Sequence, residues 1–221
     1  MSTTWFPGPA ADAARNAVDL AVARRCTVAM STERWTSATV YPDMWTDPDD
    51  DPREALAKPV GEKETLWNYL KHYRITLEMK CEGLSAEQLA RRSVPPSTLS
   101  LLGLVRHLAH VEQSWFGRVL QEQPDLPRLF GKSPENPDAD FDDVVADPAM
   151  VEDAWATWRR EVQAADAWLA ALPEDELGRT VLRGDDVIPV RDVLVHMIEE
   201  YARHVGHADL LRECVDGRVG Q

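Results

Sequence analysis

The stretch VRDVLVHMIEEYARHVGHADLLR, residues 190–212, reads as one long amphipathic helix. Val190, Val193, Leu194, Met197, Ile198, Tyr201, Val205 and Ala208 recur at the three-and-four spacing of a single buried face. Beside that face fall His196, Glu200, His204 and His207, within an arc of roughly 80° at 100° per residue. Titratable groups gathered along one edge of a core helix call for a chemical explanation. Glu200 and His204 lie nearest the apolar face, and their four-residue spacing stacks their side chains about 6 Å apart.

Working outward, three more helices are predicted by the same periodicity. One runs from about Glu62 to Glu82, with Leu66, Leu70, Tyr73 and Leu77 inward and Gly83 as a stop. A second runs from about Ser100 to Gln121, with Leu101, Leu104, Val105, Leu108, Val111, Trp115 and Val119 as its buried stripe. The third begins at Asp147-Pro148, a cap residue followed by proline, and Pro173 ends it. Trp115, Trp155, Trp158 and Trp168 are expected as core anchors. Ser85 with Gln88 has the form of a capping box, and residues 178–189 hold a short β-like patch. Residues 123–147 are rich in proline and acid, a long irregular connection of the kind that carries function or stays unfolded. The expectation is an all-α four-helix bundle with long connections, which permit an order other than simple up-and-down.

Ahead of the bundle, residues 41–61 carry four prolines and an aspartate run, predicting an extended, unpacked arm. Asp49–Asp51 lack the glycine and spaced glutamate of a calcium loop, so they read as a solvated acidic run. Residues 1–40 form an N-terminal extension to a bundle domain at 41–217. Met30, followed by STERW, has the look of an alternative start, and the segment before it reads equally as loosely held chain or as a helix on the bundle.

With 221 residues and 44% hydrophobic content the chain can bury one sizeable core. A net charge of −14 argues against a nucleic-acid partner. No apolar run of about 18 residues predicts a membrane span, no leader is evident, and three scattered cysteines fit reduced thiols in a cytoplasm.

On the Ser100–Gln121 helix, His107 sits at the edge of the apolar stripe and His110 farther outward. If that helix neighbours the last one, His107, Glu200 and His204 converge into a divalent-metal site open to water or substrate. Imidazole with carboxylate favours zinc, with nickel, iron and manganese open. The competing explanation is a set of structural histidines, with Glu200 paired to Arg203 or Arg106. Glu112 stands near the middle of the apolar stripe and needs a partner, either a histidine it orients or a buried arginine. Ser114 has no base at useful sequence spacing, and Cys81 and Cys214 lack any activating pattern.

Three ordered segments, TLWNYLKHYRITLEMKCEGLSAEQL, VPPSTLSLLGLVRHLAHVEQSWF and VLVHMIEEYARHVGHADLLRE, resemble the DinB superfamily, in its branch of small actinobacterial-type proteins. The resemblance spans about residues 41–217 and implies a bundle whose second and third helices are joined by the long connection. It also implies a metal held by His107, Glu200 and His204. The glutamate variant is that of mycothiol-dependent maleylpyruvate isomerase, whereas many relatives carry three histidines. Gly206 matches the family's H-x-G glycine, and Glu112, His110 and His207 become candidates for supporting the ligands. The activity implied is S-transfer or isomerisation of a small electrophile, using mycothiol or another low-molecular-weight thiol. The alternatives are a non-catalytic metal-binding stress or interaction protein, with a homodimer admitted, and a metal-dependent hydrolase.

Overall fold

The computed structural model describes residues 33–221; the extension before them, with the start suggested at Met30, lies outside the described residues. Arg34–Gln221 forms one compact unit. Its helices are α1 (Gly61–Cys81), α2 (Ala86–Leu89), α3 (Leu101–Glu112), α4 (Ala139–Asp142), α5 (Pro148–Ala171) and α6 (Val190–Asp216). A two-stranded antiparallel hairpin, β1 (Thr180–Arg183) with β2 (Asp186–Pro189), precedes α6 and accounts for the β-like patch. The four long helices form an all-α bundle, and no helix among the described residues is long and apolar enough to cross a membrane.

Local chemistry sets the helix ends. The Ser85 hydroxyl accepts from the Gln88 amide while Gln88 reaches back, completing the capping box. Ser100 caps α3 at the Gly103 amide, Asp147 caps α5 at the Ala149 amide, and Gly217 closes α6 in the left-handed conformation.

Side-chain pairs fix the helix order. Glu62 meets Arg191 and Lys80 meets Asp209, so α1 and α6 run parallel. His107 meets His204 and Trp115 meets His196, so α3 and α6 are antiparallel. Arg106 meets Met150 and Phe116 meets Trp168, so α3 and α5 are parallel. The order is therefore up-down-down-up. The chain must travel back along the bundle between α3 and α5, which is why residues 121–147 form so long a connection.

That return path buries α3. Every residue of α3 is buried except His107. Gly103 makes room for the crossing chain, since a Cβ there would sit 3.0 Å from the Phe141 ring. Beyond Glu112 the helix continues in π geometry from Gln113 to Leu120, with Gln121 N–H donating to Phe116 O at 3.0 Å. The inserted register moves the apolar stripe by one residue. Phe116 and Leu120 are buried where Trp115 and Val119 were expected, and those two lie half-buried at the edge of the core. Of the expected tryptophan anchors only Trp158 is fully buried, donating to the Tyr201 hydroxyl at 2.8 Å.

The arm before α1 also departs from expectation, because it packs. Trp45 is 2% exposed, with Lys80 Nζ 4.0 Å and Arg218 Cζ 3.8 Å from its ring centroid. Its amide donates to Gln221 O, and Trp35 pairs with Arg218, so the arm clasps the C-terminal tail. Cations held over an aromatic ring supply this packing, and such an arrangement leaves no hydrophobic periodicity.

Glu112 takes the buried-arginine alternative. Its carboxylate accepts from Arg74 Nε and Nη2, both at 2.7 Å, and from the Tyr201 hydroxyl at 2.7 Å. Arg74 Nη1 also reaches Asp166 at 2.8 Å. The network ties α1, α3, α5 and α6 together in the core. Removing one member strands a buried charge, so Glu112→Ala should lose about 3–5 kcal/mol in urea unfolding, with Arg74→Met/Glu112→Leu recovering much of it. A loss below about 1 kcal/mol would show that the pair is solvated.

Candidate metal centre

Antiparallel packing of α3 on α6 brings His107 to Glu200 and His204. One ligand atom from each lies within 4.8 Å of the other two, the one such His/Cys/Asp/Glu group among the described residues. Glu200 Oε2 is 3.3 Å from His204 Nε2 and 4.0 Å from His107 Nε2. The two imidazoles meet edge to face, with centroids 4.7 Å apart.

The protonation pattern follows from the neighbours. Asp140, 0% exposed, lies 2.9 Å from His107 Nδ1 and 2.8 Å from Lys132 Nζ. Burial alone would raise the Asp140 pKa, but the His107 and Lys132 hydrogen bonds outweigh it and hold the pKa below the usual carboxylate value. An ionised carboxylate can only accept, so His107 Nδ1 carries a hydrogen, and in the neutral ring the lone pair is then on Nε2, the nitrogen that faces Glu200.

His204 is held neutral chiefly by burial, reinforced by His107, with its pKa pushed down to about 4. Its Nε2 is buried and has no hydrogen-bond partner, despite lying 3.3 Å from the Glu200 carboxylate. The close approach is an electrostatic contact without hydrogen-bond alignment. Glu200 resists the upward push of burial because Arg203 Nη2, at 2.6 Å, favours its anion. The Arg203 partner foreseen in the structural explanation is thus present, on the same oxygen that faces the histidines.

The surrounding residues divide. His207 Nδ1 lies 3.4 Å from His204 Nδ1, in direct contact with a member of the cluster. His196 Nε2 lies 3.4 Å from Glu200 Oε1, and its ring packs on Trp115. Glu112 has its partners in the core network, and no histidine is among them. A Cβ at Gly206 would meet nothing, and nothing in the structure explains the glycine. Asp140 and Lys132 were missed from the sequence: Asp140 stands in a run of similar aspartates (DADFDD), and only the return path of the chain selects it.

His110 corrects an expectation. It is 7% exposed, not outward, because the 121–147 connection covers its side of α3. Its Nε2 lies 3.2 Å from Ser114 Oγ, the imidazole neighbour that Ser114 lacked on spacing alone, and its Nδ1 has no partner. Burial, assisted by the charge of Lys132, lowers its pKa from 6.5 to about 4. As pH falls from 6.5 to 4 the unfolded chain takes up this proton before the folded one, so stability declines through that window. In chelator-treated protein the urea midpoint should therefore drop between about pH 7 and about pH 5. His110→Gln should flatten part of that drop, and an unchanged slope would contradict the account.

A solved structure described as the conserved protein of locus from Enterococcus faecalis superposes with a TM-score of 0.54 at 17% identity, covering 71% of this chain and 98% of that one. That likeness is one of fold. No curated protein matches the chain. The profile of the mycothiol-S-transferase family matches residues 65–217, a span that holds α1 beyond its first turn, α2 through α6 and all three clustered residues. The chain belongs to the mycothiol-S-transferase family, a DinB-like family.

Proposed function

We propose that this protein is a metal-dependent S-transferase that uses mycothiol, with a divalent ion, zinc by its donor set, held by His107 Nε2, Glu200 Oε2 and His204 Nε2. The observation that carries this reading is the His204 Nε2 atom, buried without a hydrogen-bond partner and 3.3 Å from a carboxylate oxygen. In the tautomer that carries its hydrogen on Nδ1, His204 turns a lone pair toward an anionic oxygen; that contact is repulsive, and a cation between the two removes the repulsion. Tetrahedral zinc with ligand bonds of about 2.0–2.2 Å spaces neighbouring ligand atoms about 3.4 Å apart. The Glu200–His204 separation of 3.3 Å is close to that value, and His107 Nε2 lies 4.0 Å from the same carboxylate oxygen. Two imidazoles and one carboxylate leave a coordination position open for a thiol.

When bound, the metal supplies a Lewis acid that lowers the pKa of a thiol placed against it. The chain's own groups do the rest. Asp140 holds the His107 ring with Nε2 toward the cluster, burial keeps His204 neutral, and Arg203 holds the Glu200 carboxylate in place. His196, half-exposed and 3.4 Å from Glu200 Oε1, is placed to pass the thiol proton to solvent. The Phe141 ring stacks on His107 at 4.7 Å and the Trp115 ring packs on His196 at 4.6 Å, aromatic surface beside the cluster. The sulfur, its proton given up to solvent, then bonds to the electrophilic carbon of the second substrate as the leaving group departs with its bonding pair.

The freshly purified protein should hold about one metal per chain by elemental analysis. His107→Ala and His204→Ala should each lower that content at least tenfold and abolish mycothiol consumption with a small alkylating electrophile. Undiminished metal in both variants would remove the site. Metal without mycothiol turnover would remove the transferase reading and leave the binding function.

A further inference from the structure

The connection between α3 and α5 delivers two charged groups to the back of His107, and the family reading does not use them. Asp140 is 0% exposed and accepts from His107 Nδ1 at 2.9 Å. Lys132 Nζ, on a side chain 11% exposed, donates to both Asp140 oxygens at 2.8 Å. Phe141, the next residue, stacks on the His107 ring. The residues that hold the His107 ring from behind therefore lie in the segment 129–142, while the ligands proposed above lie on α3 and α6.

We infer that Asp140 is the positioning residue of the metal centre, and that metal binding and docking of the 129–142 segment are two readings of one coupling. The inference rests on the proposed metal site. Asp140 fixes the tautomer that leaves Nε2 able to bind a metal and sets the ring's angle toward Glu200. A carboxylate behind a metal-binding imidazole also makes its free nitrogen a better donor, and removing such a partner weakens metal affinity about 10–100-fold. Coupling is reciprocal: whatever factor docked Asp140 adds to metal affinity, bound metal adds to the docking of Asp140. Lys132 neutralises the buried carboxylate. Its removal costs stability but leaves the His107 bond in place, so the two charged residues separate positioning from folding.

The test uses the full chain and Zn²⁺ alone as probe, with competition against a chromophoric chelator. Asp140→Asn, whose amide can turn its NH₂ toward Nδ1 and impose the wrong tautomer, should weaken Zn²⁺ binding about 10–100-fold. Lys132→Met should lower the urea midpoint and leave Zn²⁺ affinity within about threefold. By the same coupling, Zn²⁺ should slow hydrogen exchange at the amides of residues 139–143 in the wild type, and much less in Asp140→Asn. Visible spectra of the Co²⁺-loaded proteins should show an altered ligand field in Asp140→Asn and an unaltered one in Lys132→Met. Equal Zn²⁺ affinity in wild type and a folded Asp140→Asn would overturn the inference while leaving the metal site standing. Absence of Zn²⁺ binding in the wild type would overturn the site itself.

Discussion

A helix buried on every side must satisfy every polar group it carries, and α3 carries an unusual number of them. Arg106, His110 and Glu112 are all buried along it, with Gln113 following directly. Arg106 and Glu112 have drawn partners from other elements, the Ala139 carbonyl of the crossing segment and the core arginine, while His110 meets only Ser114 one turn on. His107 alone reaches the edge, where α6 brings Glu200 and His204 against it. The core network and the candidate site are two consequences of running one polar-studded helix through the centre of a bundle.

The up-down-down-up order follows from the same demand. With α3 and α5 parallel, the chain must return along the bundle, and its path covers the side of α3 that would otherwise expose His110. The returning segment contributes Asp140 and Phe141 to His107, one through a hydrogen bond and the other through ring contact. A simple up-and-down bundle with a short connection would leave His107 backed by water.

The four helices, their caps and the short hairpin were legible in the sequence, because apolar periodicity and capping chemistry are local signals. So was the convergence of His107, Glu200 and His204, since spacing on two helix faces constrains where side chains meet. Three features were not. The π segment after Glu112 shifts burial from Trp115 and Val119 to Phe116 and Leu120, a register change that leaves no local mark. Trp45 is held by Lys80 and Arg218, cations far away in sequence. Asp140 differs from its neighbouring aspartates only in where the fold carries it. In each case a tertiary contact decided between locally equivalent residues.

The central claim is that His107, Glu200 and His204 hold an ion to which a thiol can bind. Zinc K-edge X-ray absorption on the zinc-loaded protein, before and after mycothiol, tests it most directly. The account predicts a first shell of nitrogen and oxygen alone at about 2.0–2.1 Å, joined on addition of mycothiol by one sulfur at about 2.3 Å. A shell that mycothiol leaves unchanged, or sulfur present before any thiol is added, would contradict it.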